Sequence, residues 1–214
     1  MRRTVRLASL PLNTAKQSAI REVMHAYSDA KGRFVSVLRS PSMWHHLDSK
    51  RAFRDWAKRQ GLYPQGVNVH LVDQAAFDAA DTCIRHIESA IASSELKARI
   101  WRRFSREDER HYAYACLARY QALGALMRGG TPRLRAGGLD RGQQDAVARY
   151  LHRMFREALG HTWPTVTLSR SMALDETLPG FNRSSQHRLL HQIVEAHRVP
   201  LRECASRASF VGVR

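Results

Sequence analysis

Carboxylates are scarce in this chain: 19 Asp and Glu face 35 Lys and Arg, and the formal net charge is +16 over 214 residues. Two-metal phosphodiester cleavage needs several acids converging on hydrated cations. The sequence offers no such cluster, because its acids fall on helix faces, at helix starts or beside arginines, and Asp140 and Asp175 stand alone. Cysteine is equally sparse. Cys83, Cys116 and Cys204 are far apart and odd in number, which excludes a disulfide framework and a CxxC zinc knuckle. His187 and His191 share a helical spacing but lack the Glu of a zinc protease motif and a third ligand, so no metal and no cofactor is expected. Gly129-Gly130 and Gly137-Gly138 lack the Lys-Ser/Thr of a phosphate loop, and no G-x-S-x-G elbow marks a nucleophile. Apolar runs fall short of the roughly 20 residues that span a bilayer, and Met1-Arg2-Arg3 lacks the apolar block of a secretory signal. A cytoplasmic protein without membrane contact is expected.

What is present is positive charge laid on amphipathic helices. Each Lys or Arg near a phosphate releases a condensed counterion, so a strongly basic balance points first to nucleic acid. A generic basic surface, or association with a ribosome, is the plainer alternative. Arginine far outnumbers lysine, and its planar fork stacks on rings and grips phosphate in ways an ammonium does not. GC-rich coding would give the same bias. Residues 1 to 60 hold 13 Lys and Arg against 4 Asp and Glu. Trp44, His45, His46 and Trp56 lie among those charges, the composition that base stacking beside a phosphate track requires. Two core tryptophans are the competing reading.

Local patterns divide the chain. Thr4-Val5-Arg6-Leu7 alternates as a half-buried strand does, and Pro11 ends it. A T-x-x-Q box at Thr14 and Gln17 opens a helix from about Ala15 to Leu38, with Gly32 as a weak point. Ser49 can cap a short helix closed by Gly61. Val69 to Ile91 is Ala-rich and helical, with Val72, Ala76, Ala79, Cys83 and Ile87 on one stripe and acids outside. A further helix is expected from the cap at Ser105 and Asp108 to the glycines at 129 and 130, packed antiparallel to its predecessor with the charged stretch 97 to 110 at the hairpin tip. Asp140 and Gln143 cap one more, which Gly160 stops. Val166-Thr167-Leu168 and Met172-Ala173-Leu174 look like strands, and 189 to 201 suits either helix or strand.

In this order the chain resembles the N-terminal half of TnpB, the transposon-encoded RNA-guided nuclease, and of related type V CRISPR effectors. Arg3-Thr4-Val5-Arg6-Leu7 looks like the family's first wedge strand, and Thr14-Ala15-Lys16-Gln17 followed by Phe34-Val35-Ser36-Val37-Leu38 like its recognition-lobe helix. The run from Val69 to Ala80 is similar to the segment before the family's long hairpin, and Ser169 to Asp175 to the return into the wedge barrel. The resemblance implies an α+β, mainly helical fold: a small β-barrel-like wedge domain from residues 1–12 and 161–214, with a helical recognition lobe over 13–160 inserted. The family's RuvC carboxylates and zinc ribbon would follow the wedge and have no counterpart here, so a noncatalytic module is expected, not an enzyme.

The leading expectation is therefore a module that holds a structured, guide-like RNA or an RNA–DNA heteroduplex, with target DNA as a further partner. Arg2, Arg3, Arg6, Lys31, Arg33, Arg39, Arg51, Arg54, Lys58, Arg102, Arg103 and Arg106 are the phosphate-contact candidates; Trp44 and Trp56 are the stacking candidates. The alternative is a helical subunit that docks a separate nuclease or transposase chain.

Overall fold

A computed structural model describes residues 14–135, 137–160 and 162–166. Among them are seven α-helices and one 3-10 helix: α1 Thr14–Leu38, the 3-10 helix Pro41–Asp48, α2 Lys50–Arg59, α3 Val69–Ser93, α4 Leu96–Arg103, α5 Glu107–Leu117, α6 Tyr120–Met127 and α7 Arg141–Leu159. No strand occurs among the described residues, which corrects the expected α+β class with its β-barrel-like wedge: the fold is mainly helical. The described residues show what closes the core instead. Trp163 and Val166 run on from α7 without regular structure and cover α1, where the Trp163 indole donates to the Val35 carbonyl at 3.1 Å. Among the described residues, helix faces and this irregular segment close the core without a sheet. The strand candidates 4–7 and 172–174, all of 166–168 but Val166, and the ambiguous 189–201 lie outside the described residues.

Local signals set most helix ends. Ser49 is in extended conformation and accepts from Ala52 N at 3.3 Å, and Asp140 and Gln143 form the reciprocal box at 2.8 and 3.0 Å. Asn68, which the sequence reading passed over, caps α3 by accepting from His70 N. After α6, Gly129 adopts a positive φ and bonds back to Leu126 O while Gly130 bonds to Ala125 O, the paired 5→2 and 6→1 arrangement that needs glycine. α1 continues unbroken through Gly32, whose bare Cα faces Val166.

The core forms around α1 and α3, the most extensive helix pair. Alanines 75, 76, 79 and 80 line α3 between Val72 and Cys83 and let Tyr27, Ala30 and Phe34 of α1 pack closely. Trp44 is fully buried against α7, edge-on to Phe155 and stacked on Trp163 with ring centroids 6.0 Å apart. α6 lies hard against the 3-10 helix at Gly124, where a Cβ would overlap the Pro41 carbonyl oxygen.

The single helix expected between residues 105 and 127 is two. The break at Ala118 and Arg119 comes from a remote residue: the Asp48 carboxylate accepts from Tyr120 N at 3.1 Å and Gln121 N at 3.2 Å, capping α6 across 72 positions. His152 of α7 completes the other end, its Nδ1–H donating to Leu126 O. The antiparallel hairpin is also replaced. Residues 96–103 form their own helix, and α5 packs on α7 and α6.

Candidate nucleic-acid interface

α4 is oriented by three apolar residues at i, i+4 and i+8: Leu96, Ile100 and Phe104 are buried. Lys97, Trp101 and Arg102 consequently face outward, and Trp101 is 59% exposed, the most open large apolar side chain described. The following turn brings in α5, whose Arg110 donates through Nε to Phe104 O at 2.6 Å and lays its guanidinium 3.9 Å from the Trp101 ring centroid. Arg103 lies about 6 Å from both Phe104 and Tyr150, which meet edge to face at 5.3 Å. Arg153 reaches Tyr150 from α7, and Arg99 ends at Met154 Sδ. The α4–α5–α7 corner thus gathers cations over rings.

Among the described residues no carboxylate pairs with Arg99, Arg103, Arg110 or Arg153. A ring face holds a guanidinium by its quadrupole and leaves the charge whole, with the N–H edge free for phosphate oxygens. Arg102 approaches Glu95 at 3.7 Å and Arg106 approaches Asp108 at 3.9 Å, but the first pair is largely and the second about half exposed to solvent, and such pairs are worth about 0–1 kcal/mol. Their charges remain available to a stronger anion.

The second group of candidates sits on α2 and the end of α1. Arg33, Arg39, Arg51 and Lys58 are exposed and Lys31 is half-buried near Cys83. Arg54, half-buried, bonds the adjacent Asp55 through Nε at 2.8 Å and Nη2 at 2.6 Å and lies over Phe77. Lys50 pairs with Asp81 of α3. His46 is held below the usual imidazole range by its partial burial, with the neighbouring His45 and Arg59 adding to the effect, so it brings little charge near neutral pH.

The two stacking candidates differ from expectation in opposite degrees. Trp44 presents no face to solvent, and its Nε1–H is taken by Leu38 O at 2.9 Å, which corrects its assignment as a base-stacking residue. Burial wins because the ring fills the space between the 3-10 helix, α7 and Trp163. Trp56 is half-buried, with Phe53 stacked 6.0 Å away and His46 at 5.1 Å. Arg2, Arg3 and Arg6 lie outside the described residues. Trp101, Arg99, Arg110, Tyr150 and Arg153 were not singled out from the sequence.

Beside this corner an open groove of about 860 Å³ runs between α3, α4, α5 and the start of α6, with Ile91, Leu96 and Leu117 along it and Glu88, Glu95 and Lys97 also contributing. No group of three or more His, Cys, Asp or Glu that could hold a metal ion occurs among the described residues. None of the described helices is long and apolar enough to cross a membrane. Comparison with protein families, curated proteins and solved structures finds no match to this chain.

Proposed function

We propose that the chain is a nucleic-acid-binding module that holds a structured RNA, or an RNA–DNA hybrid, and leaves bond breaking to another molecule. The carrying observation is the α4–α5–α7 corner, where Arg103, Arg110 and Arg153 rest on aromatic rings and not on carboxylates. Around them Lys97, Arg102 and Arg106 add exposed charge, and Arg33, Arg39, Arg51 and Lys58 extend the basic surface on α1 and α2. Such groups read backbone and shape, the mode by which RNA-guided systems hold a duplex. The resemblance to the front half of TnpB-like proteins favours a guide-like RNA as the ligand.

Filter binding of a structured RNA across salt tests this. Neutralising roughly four phosphates predicts a fall in affinity of about a hundredfold between about 50 and 200 mM monovalent salt. Flat affinity over that range would end the proposal. The open apolar groove beside α4 supports a second reading, a subunit that docks a separate protein chain. A stoichiometric protein partner recovered without RNA would favour it.

A further inference from the structure

Resting on that reading, we infer that Trp101 is a stacking platform for one unpaired nucleobase of the bound nucleic acid, with flanking phosphates held by Lys97 and Arg102. Most large rings described here are committed to the interior; Trp101 is 59% exposed, although it sits on a helix with a well-formed buried face. Hydrophobic burial therefore does not explain it, since leaving an indole in water forfeits a large apolar area. Its preparation does point to a ligand. Arg110 is anchored by its own Nε to Phe104 O and covers one face of the indole at 3.9 Å, so the ring is held in place from below. An exposure of 59% with one face covered leaves the opposite face to solvent.

A base laid on that face extends an Arg–Trp–base stack, and the guanidinium behind the indole makes the arrangement favourable to an electron-rich ring. Lys97 lies one helical turn before Trp101 on the same side of α4, and exposed Arg102 points about 100° round the helix from it, so the two cations flank the indole on different sides. A continuous duplex keeps its bases stacked inside and cannot offer one to a protruding indole. The platform thus selects a single-stranded stretch, a bulge or a loop, and its chemistry is shared by RNA and DNA.

The test compares wild type with Trp101→Ala and Trp101→Phe on three probes at low salt: an oligouridine and an oligothymidine of about ten nucleotides, and a blunt RNA duplex. The expected result is an approximately tenfold loss of single-strand affinity for Trp101→Ala, partial recovery in Trp101→Phe, and duplex affinity within about twofold of wild type. Quenching of tryptophan emission by the oligonucleotides should fall in both variants. Loss on the RNA strand alone, or the DNA strand alone, names the source of the base. Undiminished single-strand binding by Trp101→Ala, or equal losses on strand and duplex, overturns the platform while leaving the phosphate-binding role intact. Wild-type protein that holds none of the probes overturns both.

Discussion

The two basic regions of this molecule hold their cations differently. On α2 the paired charges meet carboxylates, Lys50 on Asp81 and Arg54 on Asp55, with Arg54 also over the Phe77 ring. In the α4–α5–α7 corner Arg103 and Arg153 meet the ring of Tyr150 and Arg110 that of Trp101, while Arg102 and Arg106 only approach Glu95 and Asp108. A carboxylate fixes a cation and cancels its field; a ring fixes it and cancels almost nothing. Equal numbers of basic residues can therefore present unequal potentials to a phosphate, and net charge counted along the chain does not distinguish them. The tryptophans divide in the same way, Trp44 within the core and Trp101 at the surface.

That division is broken most forcefully at the tryptophans. Trp44→Ala should cost about 3–5 kcal/mol of stability in denaturant unfolding, because it empties a packed site, whereas Trp101→Ala should stay within about 0.5 kcal/mol. Comparable losses would erase the distinction. Alkaline titration probes the α1–α3 interior next. Burial pushes the Cys83 thiol up to about 12, and burial followed by the bond to Asp78 raises the Tyr27 phenol well above its ordinary range. Both groups favour their neutral forms in the folded chain, so this stability is complete below about pH 9 and is lost as pH climbs toward 12. Tyrosine absorbance followed alongside circular dichroism should show Tyr27 ionising only as the helices melt.

Smaller effects sharpen the contrast between the basic faces. Arg103→Ala combined with Arg153→Ala, the ring-held pair at Tyr150, should lower the slope of log affinity against log salt by about two for RNA. Lys50→Ala combined with Arg54→Ala should change it by less than about one, since those charges are already answered by acids. Slopes that fall equally would mean the carboxylates screen nothing. Least of all, Asp48→Ala should destabilise the fold by about 1 kcal/mol through loss of the α6 cap, with RNA affinity unchanged at temperatures where the protein is folded. Thermal melts and the same binding assay check both halves.

Much of the helical scaffold was legible because its signals are local. The Asp140 and Gln143 box, the Ser49 cap and the glycine pair after α6 each act within a few residues of themselves, and the α3 stripe follows from helical period alone. The division of α5 from α6 was not legible, since Asp48 lies far away in the chain. The candidate site suffered from the same limit. Trp44 attracted attention by its charged neighbours in sequence, yet its partners Phe155 and Trp163 arrive from the far end of the helical region. Trp101 could have been found: with Leu96, Ile100 and Phe104 claiming the inner face of α4, helical period leaves position 101 outside. That Arg110 would settle on it depends on how α5 turns back.

α6 draws together these distant parts. It is eight residues long, too short to persist alone, and its two ends are tied by Asp48 from one side and His152 from the other while Gly124 admits the backbone of the 3-10 helix against its middle. Such a segment has no independent existence to fall back on. Its amide protons should therefore exchange with deuterated water only when the whole helical body opens, which makes this short stretch a natural gauge of global unfolding.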